Sequence, residues 1–353
     1  DPSNAGGTEN GTSWATAYGS LNSAEAAENV DLSGSGGLGI YTFHCKDGDE
    51  SSPDTVDITI SGWGTTSAVN YVEILGGYAS GETGTPGTPE GFSGYSSDHY
   101  RIELTGGVNQ VALEIETDFT VIEKIQIKLI GGITFNAMGI RFETGSNDGL
   151  TINKCILWGT ETGTAGDYNA IKSLYTVKVT NTLIFGNWDT CVLVESFNGG
   201  SSTLTNCTID GGVTDNVYAG NNHGLVCLNC ASFNSGDDWN DNTSGTFTLT
   251  TCADDDGDST QTLNSTDNYA AEFTDQPNGD YSIAGAGSVL DENGTDAGAP
   301  SDDIKDVSRT SPYDIGAFEY EAAAGGRIMS SLVGAGGLAG LGGIAGQGGG
   351  LAG

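Results

Sequence analysis

The sequence predicts an all-β fold: a right-handed parallel β-helix, in which the chain winds through stacked coils. Three observations support this prediction. Similar segments recur every 22–27 residues between residues 148 and 253, each segment alternates apolar and polar residues, and each has a small residue at the same place. Alternation is typical of β-strands. Repetition at such a period is typical of solenoids, whose repeats bury their apolar faces against each other.

The five segments align on one ladder position. They are LTINKCILWG (150–159), VKVTNTLIFG (177–186), STLTNCTIDG (202–211), VCLNCASF (226–233) and TLTTCAD (248–254). The residues at the ladder position are Cys155, Thr182, Cys207, Cys230 and Cys252. Alternation directs this position inward, so we predict stacked, buried free thiols, about 4.8 Å apart. The alternative is a disulfide between cysteines of neighbouring coils. Their Cα atoms lie within disulfide range, although parallel side chains pair poorly.

Three stretches resemble a known family. TNCTIDGG (205–212) resembles the repeat of pectate-lyase-type right-handed β-helices, which occur in exported and virion surface proteins. GTSWATAYGSLNSAEAA (11–27) is similar to their opening, where a short helix caps the first coil, and SPYDIGAFEY (311–320) is similar to their closing segment. We therefore divide the chain into an N-terminal arm and cap at 1–37, a β-helix at 38–320 with a loop insertion near 76–100, and a glycine-rich tail at 321–353.

The charge of the chain limits its partners. It has 47 Asp and Glu residues against 11 Lys and Arg residues, and a net charge of -36. Such a surface repels nucleic acids and anionic lipids. No apolar run is long enough to predict a membrane span. Abundant glycine and scarce lysine favour an exported protein, so we expect an extracellular or virion-surface location.

The C-terminal tail has a period of three. Glycine occupies every third position from Gly334 to Gly349, and Leu338, Leu341 and Ile344 keep the same period. Three residues per turn is the polyproline-II geometry. A free tail would expose its apolar residues, so we predict an extended tether that docks on another subunit, although a flexible linker stays open. The predicted interface residues are Arg327, Ile328, Met329, Leu332, Val333, Leu338, Leu341, Ile344 and Leu351.

Two acidic groups are candidates for chemistry. Asp254, Asp256 and Asp258 alternate in DDDGDST, and an oxygen-rich loop of this kind can hold Ca²⁺, with a solvated turn as the alternative. No other cofactor is expected. Asp189, Asp210, Asp215 and His223 could share one face, but the ordered motifs of β-helix hydrolases are absent.

These observations favour a non-enzymatic structural protein. We expect a homo-oligomeric subunit of a large assembly, such as a virion decoration, fibre or spike protein, or a component of an extracellular filament or surface layer. The alternative is a secreted polysaccharide lyase or glycoside hydrolase, or a glycan-binding adhesin. In that case the aromatic residues that could stack on sugars are Tyr95, Tyr100, Trp158 and Trp188, with the alternative that they lie in the core or stack between coils.

Overall fold

The strands of this chain stack in parallel from coil to coil. The computed structural model describes residues 13, 17–29, 31–32, 39–46, 53–64, 66–79, 86–143, 149–160, 167–196, 199–259, 261–262 and 269–321. The elements within these residues are α1 (Leu21–Glu28), β1 (Ile40–Lys46), β2 (Ile58–Ile60), β3 (Tyr71–Tyr78), β4 (Arg101–Ile115), β5 (Thr120–Glu123), β6 (Gln126–Phe142), β7 (Leu150–Asn153), β8 (Ile156–Thr160), β9 (Tyr168–Ser173), β10 (Val177–Thr180), β11 (Leu183–Ser196), β12 (Ser201–Thr205), β13 (Thr208–Asn221), β14 (Gly224–Leu228), β15 (Ala231–Phe233), β16 (Asp237–Thr243), β17 (Phe247–Thr250), β18 (Ala253–Asp254), β19 (Gln261–Thr262), β20 (Phe273–Asp275) and β21 (Asp280–Ile283), with 3₁₀ turns at Tyr269–Glu272 and Gln276–Asn278.

Two large sheets form the walls of the coils. The first has the strand order β1-β3-β5-β7-β10-β12-β14-β17, and the second β19-β18-β15-β13-β11-β8-β6-β4-β2, with β9 and β16 attached beside β11 and β13. All described pairs in both sheets are parallel. Because parallel crossovers are right-handed with few exceptions, this architecture confirms the predicted right-handed parallel β-helix.

The long strands of the second sheet bend around a corner and serve two faces. Residues 183–187 of β11 pair with β8, whereas residues 190–194 of the same strand pair with β9. We call the wall before the corner the groove face, formed by the first halves of β4, β6, β11 and β13 with β8, β15 and β18. The wall after the corner, with β2, β9 and β16, is the third face.

The ladder position lies inside the coils, in register from one coil to the next. Backbone hydrogen bonds connect Cys155 to Leu183, Thr182 to Thr208, and Cys207 to Ala231, and they continue upward through the later coils. The five ladder residues are at most 1% exposed. The seven cysteines, all within the described residues, are buried thiols that form no disulfide. Small side chains fit this position because the backbone turns sharply just before it.

That turn is the same in six successive coils. One residue in each adopts a left-handed conformation, with φ between 46° and 54°. These residues, which we call the turn strip, are Lys124, Lys154, Asn181, Asn206, Asn229 and Thr251. Asparagine is favoured there because its short polar side chain tolerates this conformation.

The closing segment, residues 269–320, runs along the outside of the coils and is held by the turn strip. Asn181 Nδ2 donates to the Asp302 carbonyl (3.0 Å), and Asn229 Nδ2 donates to the Thr295 carbonyl (2.7 Å). Lys154 Nζ pairs with Asp302 at 2.7 Å and also contacts Asp306. A second apolar cluster fills the space between this segment, the loop around Phe92 and the groove face.

The first coil is covered by α1. Ser20 caps this helix by accepting a hydrogen bond from Ser23 N (3.0 Å). Leu21 and Ala24 are buried against the first coils, and Leu21 N donates to Asp54 Oδ2 (3.2 Å). The helix therefore covers apolar side chains and backbone groups at the end of the stack. The predicted interface residues from Arg327 to Leu351 lie outside the described residues, and so does part of the predicted loop, residues 80–85.

Replacing Asn206 tests the turn strip. Its Nδ2 donates to the carbonyls of Asp314 (3.1 Å) and Gly316 (3.3 Å), and its φ is 51°. We expect Asn206→Ala to lower the free energy of unfolding by about 2–4 kcal/mol, because it removes two hydrogen bonds to the closing segment and strains the backbone. Asn206→Gly loses the same bonds without the strain, so its loss should be smaller. Equal losses in urea denaturation would show that the left-handed turn contributes nothing.

Candidate functional site

A column of outward side chains runs along the groove face, one from each coil. Each lies three residues after the ladder position or its equivalent in earlier coils. The residues between, such as Leu157, Ile184 and Ile209, point inward and are fully buried. Strand register stacks the members of the column in the order Glu103, Lys128, Trp158, Phe185, Asp210 and Phe233.

A cavity of about 780 Å³ lies between this column and the closing segment. The hairpin of β20 and β21 supplies one wall, and the loop around Tyr95 supplies another. Most of its lining is polar, with the side chains of Asn187, Asn234, Gln276 and Asp280 among those facing it. The size and chemistry of this cavity suit a small ligand rich in hydroxyl groups.

The aromatic side chains at the base of the cavity pack on one another. Trp158 and Phe185 stack with their ring centroids 5.3 Å apart, and Lys128 Nζ lies 3.7 Å from the Trp158 ring centroid. Lys128 and Phe185 are the column neighbours of Trp158 on its two sides, so both faces of the indole are covered. Tyr95 meets Trp158 edge to face at 5.1 Å. Trp158 can therefore offer the cavity a ring edge but not a ring face.

Asp210 connects the column to the wall of the cavity. Its carboxylate accepts hydrogen bonds from Tyr281 Oη (2.6 Å), Gln276 Nε2 (2.6 Å) and Asn234 Nδ2 (3.1 Å). The side chain is buried, and loss of solvation raises its pKa, although the three donors favour the charged form and oppose the rise. The same contacts fix the hairpin of β20 and β21 against the groove face.

The predicted acidic group is not brought together as a unit. Asp189 and Asp215 interact electrostatically with each other, and their partners are Thr214 and Asn240. Asp210 instead faces the closing segment. His223 is fully buried, and its Nε2 lies 2.7 Å from Ser202 Oγ. No catalytic constellation of these four residues forms.

Two of the four predicted sugar-stacking residues are buried. Tyr100 is 1% exposed and donates to Asp54 (2.5 Å), and Trp188 is 0% exposed and donates to the Phe185 carbonyl (2.9 Å). Neither ring can meet a ligand, so for these two residues the core alternative is correct. Tyr95 and Trp158 are half-buried and do line the cavity.

The structure assembles a different carboxylate trio from the one expected for Ca²⁺. Carboxylate oxygens of Asp237, Asp256 and Asp258 lie within 4.8 Å of one another. Asp254 is buried and turned away, where it accepts hydrogen bonds from Gly257 N and Ser259 N. Oxygen ligands at this spacing fit a hard cation. Ca²⁺ binding at this corner stays a prediction.

Several residues of the site were missed by the sequence analysis. Phe185 has a usable signal, because it lies three residues after a ladder residue, as Trp158 and Asp210 do. Gln276 and Tyr281 have no such signal, since the closing segment has no repeat from which their positions could be inferred.

Known proteins give a narrow comparison. Neither protein-family models nor curated proteins yield a match to this chain. Among solved structures, the chain is similar to the crystal structure of pectate lyase Pel9A, with 15% sequence identity and a TM-score of 0.42. The match covers 91% of this chain and 95% of that chain. At this level the similarity carries no information about site residues or activity.

None of the helices in the described part of the chain is long and apolar enough to cross a membrane.

Proposed function

We propose that this chain is an extracellular carbohydrate-binding protein that holds a glycan in the cavity on its groove face. The cavity itself is the observation that supports this most strongly: about 780 Å³, bordered by residues with amide and carboxylate side chains and by Tyr95 and Trp158. Sugars present many hydroxyl groups, which both donate and accept hydrogen bonds. Amides and carboxylates complement them, while the two aromatic side chains add apolar surface beside the C–H groups of the sugar.

Binding fits this cavity better than cleavage. Hydrolysis requires two carboxyl groups at a defined separation, one of them free to give its proton to the substrate. Asp210 already accepts three side-chain hydrogen bonds, and Asp280 accepts one from Ser282 N (3.0 Å). Both therefore serve as acceptors that organise the wall. We expect no release of reducing sugar from any polysaccharide that the protein binds.

Filling the cavity tests the proposal. Asn187 is exposed and borders the cavity, so Asn187→Trp should occupy part of its volume. We expect its Kd for a bound neutral polysaccharide, measured by biolayer interferometry, to rise at least about tenfold, which is roughly 1.4 kcal/mol. The matched control is Asn242→Trp on β16, an exposed position outside the cavity. Unchanged binding by a folded Asn187→Trp protein would rule out this cavity as the glycan site.

The assembly role stays a prediction. This role was predicted from the tail at 321–353, which lies outside the described residues apart from Glu321. A virion location therefore has no support from the described part of the chain.

A further inference from the structure

We propose that the glycan held in this cavity is uncharged: a neutral polysaccharide and not a polymer of uronic acids. This inference rests on the proposed function, because it names the class of ligand for the same cavity. It depends on the balance of charge around the cavity and on the partners that the nearby basic groups already have.

Carboxylates border the cavity on two sides. Asp210 lies in the column and Asp280 in the opposite wall. Asp255 lies close enough to Asp210 to act on it electrostatically. Asp275, outside the lining itself, accepts a hydrogen bond from the lining residue Asn278 (2.8 Å). A bound uronate would place further negative charge beside these groups, and like charges at such distances disfavour binding.

Basic groups to offset this charge are scarce. Lys305 is the one lysine or arginine, among the residues that the structure describes, that borders the cavity. Lys128 lies nearby, but its ammonium group is over the Trp158 ring and next to Glu103 in the column. A single lysine cannot provide a counter-charge for each sugar of a uronate chain.

Other basic side chains in the described part of the chain form ion pairs and do not line the cavity. They pair as Arg101 with Glu103, Lys124 with Asp306, Arg141 with Glu114, Lys154 with Asp302 and Asp306, Lys172 with Glu143 and Asp167, and Arg309 with Glu319. Recruiting any of them would break an existing ion pair.

A neutral sugar matches the cavity in a way that an acidic one does not. A hydroxyl group can donate to the Asp280 carboxylate, which is half-buried and has acceptor capacity beyond its bond from Ser282 N. The same sugar can accept from the exposed Asn187 amide. Hydrogen bonds to a charged acceptor are stronger than those between neutral groups. The carboxylates thus favour hydroxyl donors while they exclude carboxylate ligands.

Immobilised polysaccharides test this class of ligand. The full chain is measured by biolayer interferometry against mixed-linkage β-glucan, xyloglucan, galactomannan, polygalacturonate and alginate, each in EDTA and in CaCl₂. We expect at least one neutral polymer to bind, and both acidic polymers to bind at least about tenfold more weakly in either buffer. Equal or tighter binding of an acidic polymer, with or without Ca²⁺, overturns the inference and leaves glycan binding intact. Binding to none of the five overturns the proposed function, and the inference with it.

A charge reversal at Asp280 tests whether the cavity sets the preference for neutral polysaccharides. Asp280→Lys should weaken binding of the neutral polymer and give measurable binding to polygalacturonate. Asp241→Lys on β16 makes the same change in net charge at an exposed position outside the cavity, and it should alter neither. A gain of polygalacturonate binding in both variants would show that net charge, and not the cavity, sets the preference, and would overturn the inference.

Discussion

Arg309→Met is expected to lower the free energy of unfolding by about 3–5 kcal/mol, which is typical when one partner of a buried ion pair is removed. The Arg309 guanidinium is buried in the closing segment. It donates to Asn181 Oδ1 (3.1 Å) and to the Gly316 carbonyl (3.0 Å), and it lies 3.6 Å from Glu319. Methionine fills similar volume but leaves the buried Glu319 carboxylate without its cation.

A double variant separates charge from packing. Glu319 also accepts from Thr310 N (2.7 Å), a bond that glutamine can retain through its side-chain oxygen. Arg309→Met with Glu319→Gln should therefore recover part of the stability lost in the single variant, as measured by urea denaturation followed by circular dichroism. If the double variant is no more stable than Arg309→Met, the uncompensated charge is not the cause of the loss.

Asp255→Asn is expected to reduce the loss of stability that the protein shows as the pH rises toward 8. Asp238 is buried and accepts from Asn216 Nδ2 (3.0 Å) and Ser235 Oγ (2.9 Å). Loss of solvation, followed by the adjacent Asp255 carboxylate, raises the pKa of Asp238 to about 8. The protonated Asp238 carboxyl group can donate a hydrogen bond to the Asp255 carboxylate.

The direction of the pH effect follows from linkage. An unfolded aspartate has a pKa of about 3.9. Between that value and 8, the folded state binds the proton more tightly than the unfolded state, so this group stabilises the fold at low pH. Its contribution is complete below about pH 4 and is lost as the pH rises through 8. In Asp255→Asn, the amide donates to an ionised Asp238, so the pKa of Asp238 falls and the pH dependence weakens.

Thermal unfolding between pH 5 and 9 measures this difference. Glu319, whose pKa burial raises to about 7, adds a slope of the same sign in every variant, so the comparison with the wild type isolates Asp255. Asp241→Asn, at an exposed position on the same strand β16 as Asp238, is the matched control and should keep the wild-type slope. Parallel Tm profiles for Asp255→Asn and the wild type would show that Asp255 does not raise the pKa of Asp238.

The repeat explains how much of the fold can be predicted from the sequence. In a β-helix, each coil copies the geometry of the previous one, so equivalent residues occupy equivalent places. Aligning Cys155, Thr182 and Cys207 therefore fixes the register of the core. Counting three residues onward gives the column that borders the cavity. Asn181 and Asn206, each just before a ladder residue, mark the turn that brings the chain into the groove face.

Residues outside the repeat could not be placed in this way. Tyr281 meets Asp210 across 71 residues of chain, and Asp237 joins Asp256 only because the last coils stack. Such contacts depend on tertiary packing that no local period encodes. The buried position of Trp188 could not be predicted for a related reason. Gly186, at φ 97°, helps the strand round the corner, and the inward and outward alternation starts again beyond it.

The turn strip and the closing segment together fix how many coils this protein can have. In a simple solenoid each coil touches only its neighbours, so a coil can be added or lost without consequence for distant parts. Here one segment forms hydrogen bonds with the turns of five successive coils, at Lys124, Lys154, Asn181, Asn206 and Asn229. The contacts of the closing segment therefore match a fixed number of coils. Inserting or deleting a single coil would move its partners out of step by about 4.8 Å. Growth of this architecture by duplication of coils therefore requires matching growth of the closing segment.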